Sequence, residues 1–446
     1  MISSIKNAVS YFKSIPGEVR ILTHHDTDGI TAGAILMRAL QRADRRFKIS
    51  ILKQLDNDSV DSLLKEDNRI IFLLDFGSQV ASRFKGCNSR VFILDHHHMR
   101  KEEEIPENVT LINPLLQDLE ESERISASAL SYLFAKEMRD VNVDLACLAV
   151  IGMIGDFREA KSSSVGREIL KDAKDVTIKR SLLFFPATRP LHKALEFGSN
   201  IFIPGVTGSS EGALNLLKEA KISLKEGESY RTLLDLDSEE TARLTALITI
   251  KSNEDITGNI YLVKVFNHLE DSRELSALIN GCGRMGHGYT ALEMCLGSKK
   301  AKAVAEEIHS EYKHRLITGL KWIASNDKIE DENCMIINAG SNVKDTLIAT
   351  LMSIISFSFV YPSGKVLVGM ADTKNDKVKV SARICGHPED GIGLHELMDS
   401  AAYQIGGEGG GCRNAAGALI PKEKVGDFIS IVQKEIASMQ KSIAVH

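Results

Sequence analysis

The sequence predicts an α/β protein built on a parallel sheet, and three observations carry that prediction. Short β-branched runs alternate with helical periodicity through the first third of the chain. Two of those runs end in clusters of aspartate and histidine, at Asp26 and at Asp95. Further β-type runs return near the C-terminus beside a glycine-rich stretch, and 446 residues suffice for two or three domains with separate cores.

Candidate strands in the first third are 19–23, 47–52, 70–74, 91–94 and 109–112, with amphipathic stretches such as 30–40 and 59–65 between them. That is the spacing of βαβ units, which form a parallel sheet covered on both faces. Right-handed crossovers would bring every strand's C-terminal end to one edge, where open α/β sheets bind ligands. Residues 124–135 and 145–154 read as helices, the second nearly all apolar and ending in Gly155-Asp156. Residues 161–175 are polar and read as a loop or exposed helix; 202–210 read as an ordered loop before a helix at 212–219. The stretch from 221 to 326 shows one strand signal (259–266), a glycine-rich turn and a long charged helix at 299–323. Strands at 334–338, 365–371 and 377–383 then lead into a glycine-rich loop and a final helix. The expected division is 1–218, an inserted region 219–330, and a smaller domain 331–446.

No stretch approaches the roughly 20 consecutive apolar residues of a membrane span, and the N-terminus lacks a signal-peptide pattern. A cytoplasmic protein with no membrane partner is expected. Seven cysteines occur without any Cys-x-x-Cys pair, which argues against a zinc ribbon or disulfide framework. A net charge of -5 does not suit binding of nucleic acid by bulk electrostatics. A polyanionic substrate would have to be held by local basic patches and bound cations.

The run Ile21-Leu22-Thr23-His24-His25-Asp26-Thr27-Asp28-Gly29 places two carboxylates and two imidazoles directly after a strand. Hard oxygens grouped with imidazoles suit a divalent first-row metal or Mg²⁺. One aspartate could serve as a helix N-cap, but two beside adjacent imidazoles exceed what a cap needs. Asp75 ends the apolar run Ile70-Ile71-Phe72-Leu73-Leu74, and the next strand ends in Asp95-His96-His97-His98. Asp156 closes an apolar helix, where the helix dipole disfavours an acid and a nearby cation would offset the penalty. Five or six ligands from four segments are too many for one four-coordinate zinc. They suit two ions about 4 Å apart sharing a carboxylate, the arrangement used for in-line displacement at phosphorus.

The set His24-x-Asp26-x-Asp28-Gly29, Asp75, Asp95-His96-His97 and Asp156 resembles, in order and spacing, the four motifs of the DHH phosphoesterase superfamily. The resemblance implies two manganese ions, with Mg²⁺ as the alternative metal. His24, Asp26 and Asp75 would hold one ion; Asp28, Asp75, His96 and Asp156 would hold the other. It further implies that His97 faces the substrate phosphate, that His25 is a variable position and that His98 falls outside the motif.

Successive glycines let backbone N–H groups approach an anion, and small residues opening a helix would add its positive end. Gly409, Gly410 and Gly411, followed by Cys412, Arg413 and Ala415-Ala416-Gly417, resemble the substrate-binding loop of the DHH-associated domain. Cys412 stands where that family commonly has His, with Arg413 beside it to compensate, and Arg383 resembles the family's substrate-contacting arginine. Residues 276–288, together with Pro204-Gly205-Val206-Thr207-Gly208, resemble archaeal RecJ-like nucleases, including the GINS-associated group. In that stretch Arg284 and His287 either touch a strand or belong to a helix-capping turn. The resemblance implies an active site in the cleft between the parallel-sheet domain and the DHH-associated domain. It implies a single-strand exonuclease acting on DNA or RNA in replication or repair, with GINS as a candidate partner. Alternatives are a phosphodiesterase for short oligoribonucleotides or cyclic dinucleotides, and a replisome scaffold.

Overall fold

Ile70, Ile71, Phe72, Leu73 and Leu74 are all buried, as a strand covered on both faces requires. In the computed structural model this strand sits at the centre of a five-stranded sheet, and every strand pair in that sheet is parallel. The sheet comprises β1 (Val19–His24), β2 (Phe47–Leu52), β3 (Ile70–Leu74), β4 (Arg90–Leu94) and β5 (Val109–Ile112), in the order β2-β1-β3-β4-β5. The expected strands and the parallel α/β class both hold. The structure describes residues 1–99, 103–117, 125–156, 163–184, 186–197, 203–252, 256–265, 268–358, 360–373, 376–386 and 393–443. Arg124, Lys161, Ser162, Phe202 and Phe266, which fall in expected elements, lie outside them.

Alternate residues of the strands go to opposite layers. Phe72, Leu74, Phe92 and Leu94 pack with α1 (Ile2–Ser14), α2 (Thr27–Arg42) and, later in the chain, two helices that follow β5. Ile71, Leu73, Val91 and Ile93 pack with Val60 and Leu63 of α3 (Asn57–Leu64). The helices after β5 are α4 (Ala127–Met138) and α5 (Ala146–Gly155), joined in the same core by α6 (Ser164–Asp172). Phe72 and Phe92 stack at 4.8 Å, with Phe12 and Phe134 each edge-on to Phe72 at 5.4 Å.

The chain divides into two compact units, Met1–Glu307 and Ile308–His446. The first also holds β6 (Val176–Leu182), α7 (Leu191–Phe197), α8 (Ser210–Glu219), the short hairpin β7 (Lys225–Glu226) and β8 (Ser229–Tyr230), and α9 (Ser238–Ser252). Beyond these come β9 (Thr257–Val265), β10 (His268–Asp271), α10 (Ser272–Met285) and α11 (Gly288–Cys295). The one strand expected here, β9, has antiparallel partners on both sides, β10 and β6. β6 carries no strand signal in the sequence because Lys179-Arg180 interrupts its apolar alternation. Residues between Leu182 and Leu262 share a single core. The glycine-rich turn expected near 281–288 is a correction: Gly281 and Gly283 lie inside α10, and Gly286 caps it at φ 89°.

Helix α12 (Lys299–Ser325) runs from the first unit into the second. There β11 (Ile329–Glu330), β12 (Cys334–Asn338), α13 (Asp345–Phe357), β13 (Val366–Asp372), β14 (Lys377–Ile384), α14 (Leu394–Tyr403), β15 (Glu408–Gly411), β16 (Ala415–Pro421) and α15 (Val425–Ile443) follow. The six strands form a mixed sheet in the order β11-β12-β13-β14-β16-β15. Val366, Val368 and Met370 face α14 and α15. Gly369 makes room for Met352 of α13 on the other side. The expected glycine loop opening a helix is a second correction: Gly409, Gly410 and Gly411 form an edge strand, and 415–421 is its partner strand. At Gly409 a Cβ would run into the Met398 carbonyl oxygen, so glycine is what lets α14 lie against this strand. No described helix is long and apolar enough to cross a membrane.

Candidate metal centre

A sheet ordered β2-β1-β3 reverses its winding between β1 and β3, where doubly wound folds bind ligands beyond the strands' carboxyl ends. His24 closes β1 at that point. A Cβ on Gly29 would lie 2.5 Å from the His24 carbonyl oxygen, so only glycine lets the first turn of α2 fold back on the strand. Thr23 Oγ1 donates to the Gly29 carbonyl and closes the loop. Asp26 is the N-cap of α2: its Oδ1 accepts from Gly29 N at 3.1 Å, while its Oδ2 lies 3.0 Å from His24 Nδ1. Capping and a place in the cluster therefore coexist in one side chain. Asp28 is held by the N-terminus of α4, with Oδ2 2.7 Å from Ala127 N and Oδ1 3.0 Å from Ser128 N.

Asp75, just past β3, adopts φ 65°. Such a left-handed conformation costs about 1 kcal/mol for a residue with a Cβ, and strain of this kind gathers at functional sites. Its Oδ2 lies 3.2 Å from His24 Nδ1 and its Oδ1 3.2 Å from His96 Nε2. His96 in turn has Nε2 3.9 Å from Asp28 Oδ2 and Nδ1 3.6 Å from Asp156 Oδ2, at the C-cap of α5. Two groups of donors able to hold a metal result: His24, Asp26 and Asp75, and Asp75, His96 and His97, the ligand atoms of each lying within 4.8 Å of one another. Asp75 belongs to both.

Beside them, His97 Nδ1 lies 2.7 Å from Asp95 Oδ1. Asp95 also accepts from the backbone N–H groups of Ser78 at 2.9 Å and His96 at 2.8 Å. Asn113, directly after β5, donates to the His97 carbonyl at 2.8 Å and to Ser78 Oγ at 2.9 Å. The sequence places Asp95 in the second cluster without a role of its own and singles out neither Ser78 nor Asn113, although Asn113 also follows a strand at the same sheet edge.

Charge is concentrated here. Burial, then Asp75 and Asp156, pushes the Asp28 carboxyl up to about 7. Burial works against protonation of His24, yet Asp26 and Asp75 raise it to about 10. The same opposition, won by Asp156, Asp75 and Asp28, puts His96 well above its ordinary value. Against burial, His24 and Arg284 hold Asp26 well below the usual carboxylate range, and His97 with Ser78 does the same for Asp95. His97 is itself raised by Asp95 over the opposing effect of burial. His25, dominated by burial and by the charges of His24 and Arg284, is pushed well below its ordinary value, its ring tilted 34° to that of His24 at 4.7 Å.

Protons thus balance crowded carboxylates that divalent cations would balance instead. His96 Nδ1 is buried with no hydrogen-bond partner among the described residues, a cost that a ligand would remove. Mixed carboxylate and imidazole donors on both sides of Asp75 fit a pair of first-row divalent ions.

The second unit carries the other predicted residues. Arg383, on β14, donates from Nε to Ser353 Oγ at 2.8 Å and from Nη1 to the Ala382 carbonyl at 2.7 Å and Ser381 Oγ at 3.1 Å. Cys412 and Arg413 lie exposed in the turn between β15 and β16. In the first unit, Arg284 lies in the last turn of α10, its Nε 3.4 Å from Asn280 Oδ1, and His287 is the exposed N-cap of α11.

The chain matches, in order, the DHH family N-terminal domain over residues 18–153, the DHH-CID domain over 183–256 and the DHHA1 domain over 333–438. It belongs to the DHH phosphoesterase superfamily. An uncharacterized protein of Methanocaldococcus jannaschii is 29% identical over 433 residues, covering 94% of this chain and 93% of that one. Among solved structures, RecJ in complex with Mn²⁺ from Thermus thermophilus aligns with TM-score 0.61 and 16% identity, over 98% of this chain and 55% of that one. CDC45 from Entamoeba histolytica aligns with TM-score 0.62 and 12% identity over 98% of both chains. This chain therefore spans about half the length of that RecJ, and the likenesses establish a common fold.

Proposed function

We propose that the protein is a two-metal phosphodiesterase of the RecJ-like kind that removes nucleotides from the end of single-stranded nucleic acid, DNA in preference to RNA. The observation that carries this reading is Asp75, whose two oxygens face separate donor groups at 3.2 Å each. His24, Asp26 and Asp75 would hold one ion, and Asp28, Asp75, His96 and Asp156 the other, with Mn²⁺ favoured by the imidazoles and Mg²⁺ as the alternative. Bound there, the ions would lower the pKa of a water and neutralise charge on the phosphoryl oxygens.

The protein's own groups supply the rest. Asp95 favours the protonated form of His97, and the imidazole, fixed at Nδ1, would donate from Nε2 to an oxygen that gains charge in the transition state. Arg383, Arg413 and the backbone of Gly409, Gly410 and Gly411 would grip the strand's phosphates. Six convergent donors, of which Asp28, Asp75 and His96 are buried, are more than a scaffold needs, so association with a replisome component such as GINS would accompany activity, and co-purification tests it.

The deciding experiment follows 5′- and 3′-labelled DNA and RNA, single- and double-stranded, with Mn²⁺ or Mg²⁺. Release of mononucleotides from single strands is expected, and the labelled end that is lost first gives the polarity. A sharp preference for dimers would favour the short-oligonucleotide alternative. Absence of hydrolysis on every substrate would contradict the proposal.

A further inference from the structure

Thr27 separates the two candidate ligands Asp26 and Asp28, and its side chain points away from them into a junction of three helices. Thr27 Oγ1 donates to the Ser276 carbonyl of α10 at 2.9 Å, and Ser276 Oγ lies 3.3 Å from Thr27 Oγ1. From the other side, a Cβ on Gly155 of α5 would sit 2.6 Å from Thr27 Cβ and 3.0 Å from Ser276 Oγ. Two turns of helix after Ser276, a Cβ on Gly283 would run into the His25 carbonyl oxygen, so glycine is what allows α10 to lie directly on the loop's backbone. Two glycines thus narrow the space around the loop, and each is needed for the close approach. α10 is itself anchored at its start: Asp271 Oδ2 accepts from Ala187 N at 3.0 Å, and Arg189 Nε donates to Glu274 Oε1 at 2.7 Å.

From this geometry we infer that α10 is a clamp on the Asp26–Asp28 loop, with Thr27, Ser276 and Gly283 as positioning residues that set the spacing of the metal ligands. A metal site needs ligands held to fractions of an ångström, and a loop between strand and helix has that precision only if something outside it fixes its backbone. α2 fixes Asp26 through its cap and α4 fixes Asp28 through two backbone N–H groups. The backbone between them is fixed by α10, which arrives 249 residues later in the chain. Among the described residues, the buried hydroxyl of Thr27 finds its acceptor on α10, at the Ser276 carbonyl.

The inference rests on the metal reading, so its test measures Mn²⁺ affinity directly, by electron paramagnetic resonance of free Mn²⁺ and by calorimetry. Thr27→Val keeps the shape and removes the hydroxyl, and is expected to weaken Mn²⁺ binding by about 10- to 100-fold, the usual cost of losing an outer-shell partner. Thr27→Ser restores the hydroxyl and is expected to bind within about threefold of wild type. Gly283→Ala is the second variant, leaving every hydrogen bond donor in place and pressing α10 off the His25 carbonyl, with a loss of the same order expected. Folded Thr27→Val or Gly283→Ala protein with wild-type affinity would overturn the clamp, as would failure of Thr27→Ser to restore binding. Wild-type protein that binds no Mn²⁺ would overturn the metal reading itself, a separate result. Should Thr27→Val fail to fold, Gly283→Ala against wild type decides the matter.

Discussion

Asp75 and His96 meet with Oδ1 3.2 Å from Nε2, while the other Asp75 oxygen lies 3.2 Å from His24 Nδ1. A single carboxylate at φ 65° is thereby turned toward imidazoles on both sides. Neither contact alone would distinguish a metal centre from an ion pair. Their sharing of one carboxylate is what the proposed two-ion site would explain, as it would the strained backbone conformation of Asp75.

The pH dependence of metal binding follows from the protons held in the metal-free site. His24, raised from 6.5 to about 10, contributes stability that is complete below its unfolded value and lost as pH rises through 10. Asp28, raised from 3.8 to about 7, contributes in the same sense, its share lost as pH rises from 3.8 through 7. Metal ligation requires both groups to shed those protons. The rise in Tm produced by saturating Mn²⁺ should therefore be larger at pH 8.5 than at pH 6.5, and calorimetry at pH 7 should show proton release. Equal increments at the two pH values would contradict this.

Asp95 tests whether His97 acts on substrate. Asp95→Asn removes the charge that raises His97 and leaves backbone donors to be met by the remaining oxygen. Turnover of a single-stranded oligonucleotide should fall by about 100-fold, the scale of one general acid or electrostatic group, with Mn²⁺ affinity within threefold of wild type. A matching loss of Mn²⁺ affinity would make His97 a ligand instead.

Arg383→Gln should raise KM for a single strand about tenfold and lower the salt dependence of binding by about one phosphate contact, with Mn²⁺ affinity unaltered. Binding isotherms at several salt concentrations check it. An unchanged slope would assign Arg383 a structural role, in its bonds with Ser353, Ser381 and the Ala382 carbonyl.

Gly409→Ala separates packing from ligand binding in the glycine strand. A methyl there meets the Met398 carbonyl of α14, and a loss of about 1–3 kcal/mol in the second unit is expected from overpacking. Urea denaturation monitored in that unit reads it.

The five strands of the parallel sheet were legible because each is a short, mostly apolar run bounded by polar residues, with β3 and β4 buried on both faces and the edge strands β2 and β5 partly exposed. The metal-type residues were legible because each follows such a run directly, as His24, Asp75 and Asp95 do. What was not legible depends on distant contacts. Gly409, Gly410 and Gly411 have poor strand propensity and form β15 only because β16 pairs with them and α14 needs the space. Gly281 and Gly283 are poor helix formers, and α10 tolerates Gly283 because the His25 carbonyl occupies the place of a side chain. The left-handed Asp75, likewise, has no signature in its neighbours.

The most direct measurement compares wild type with Asp75→Ala for hydrolysis of an end-labelled single-stranded oligonucleotide in Mn²⁺. Wild type should release mononucleotides, and folded Asp75→Ala should do no better than a control without enzyme. An Asp75→Ala protein that still degrades the strand would contradict the two-metal account.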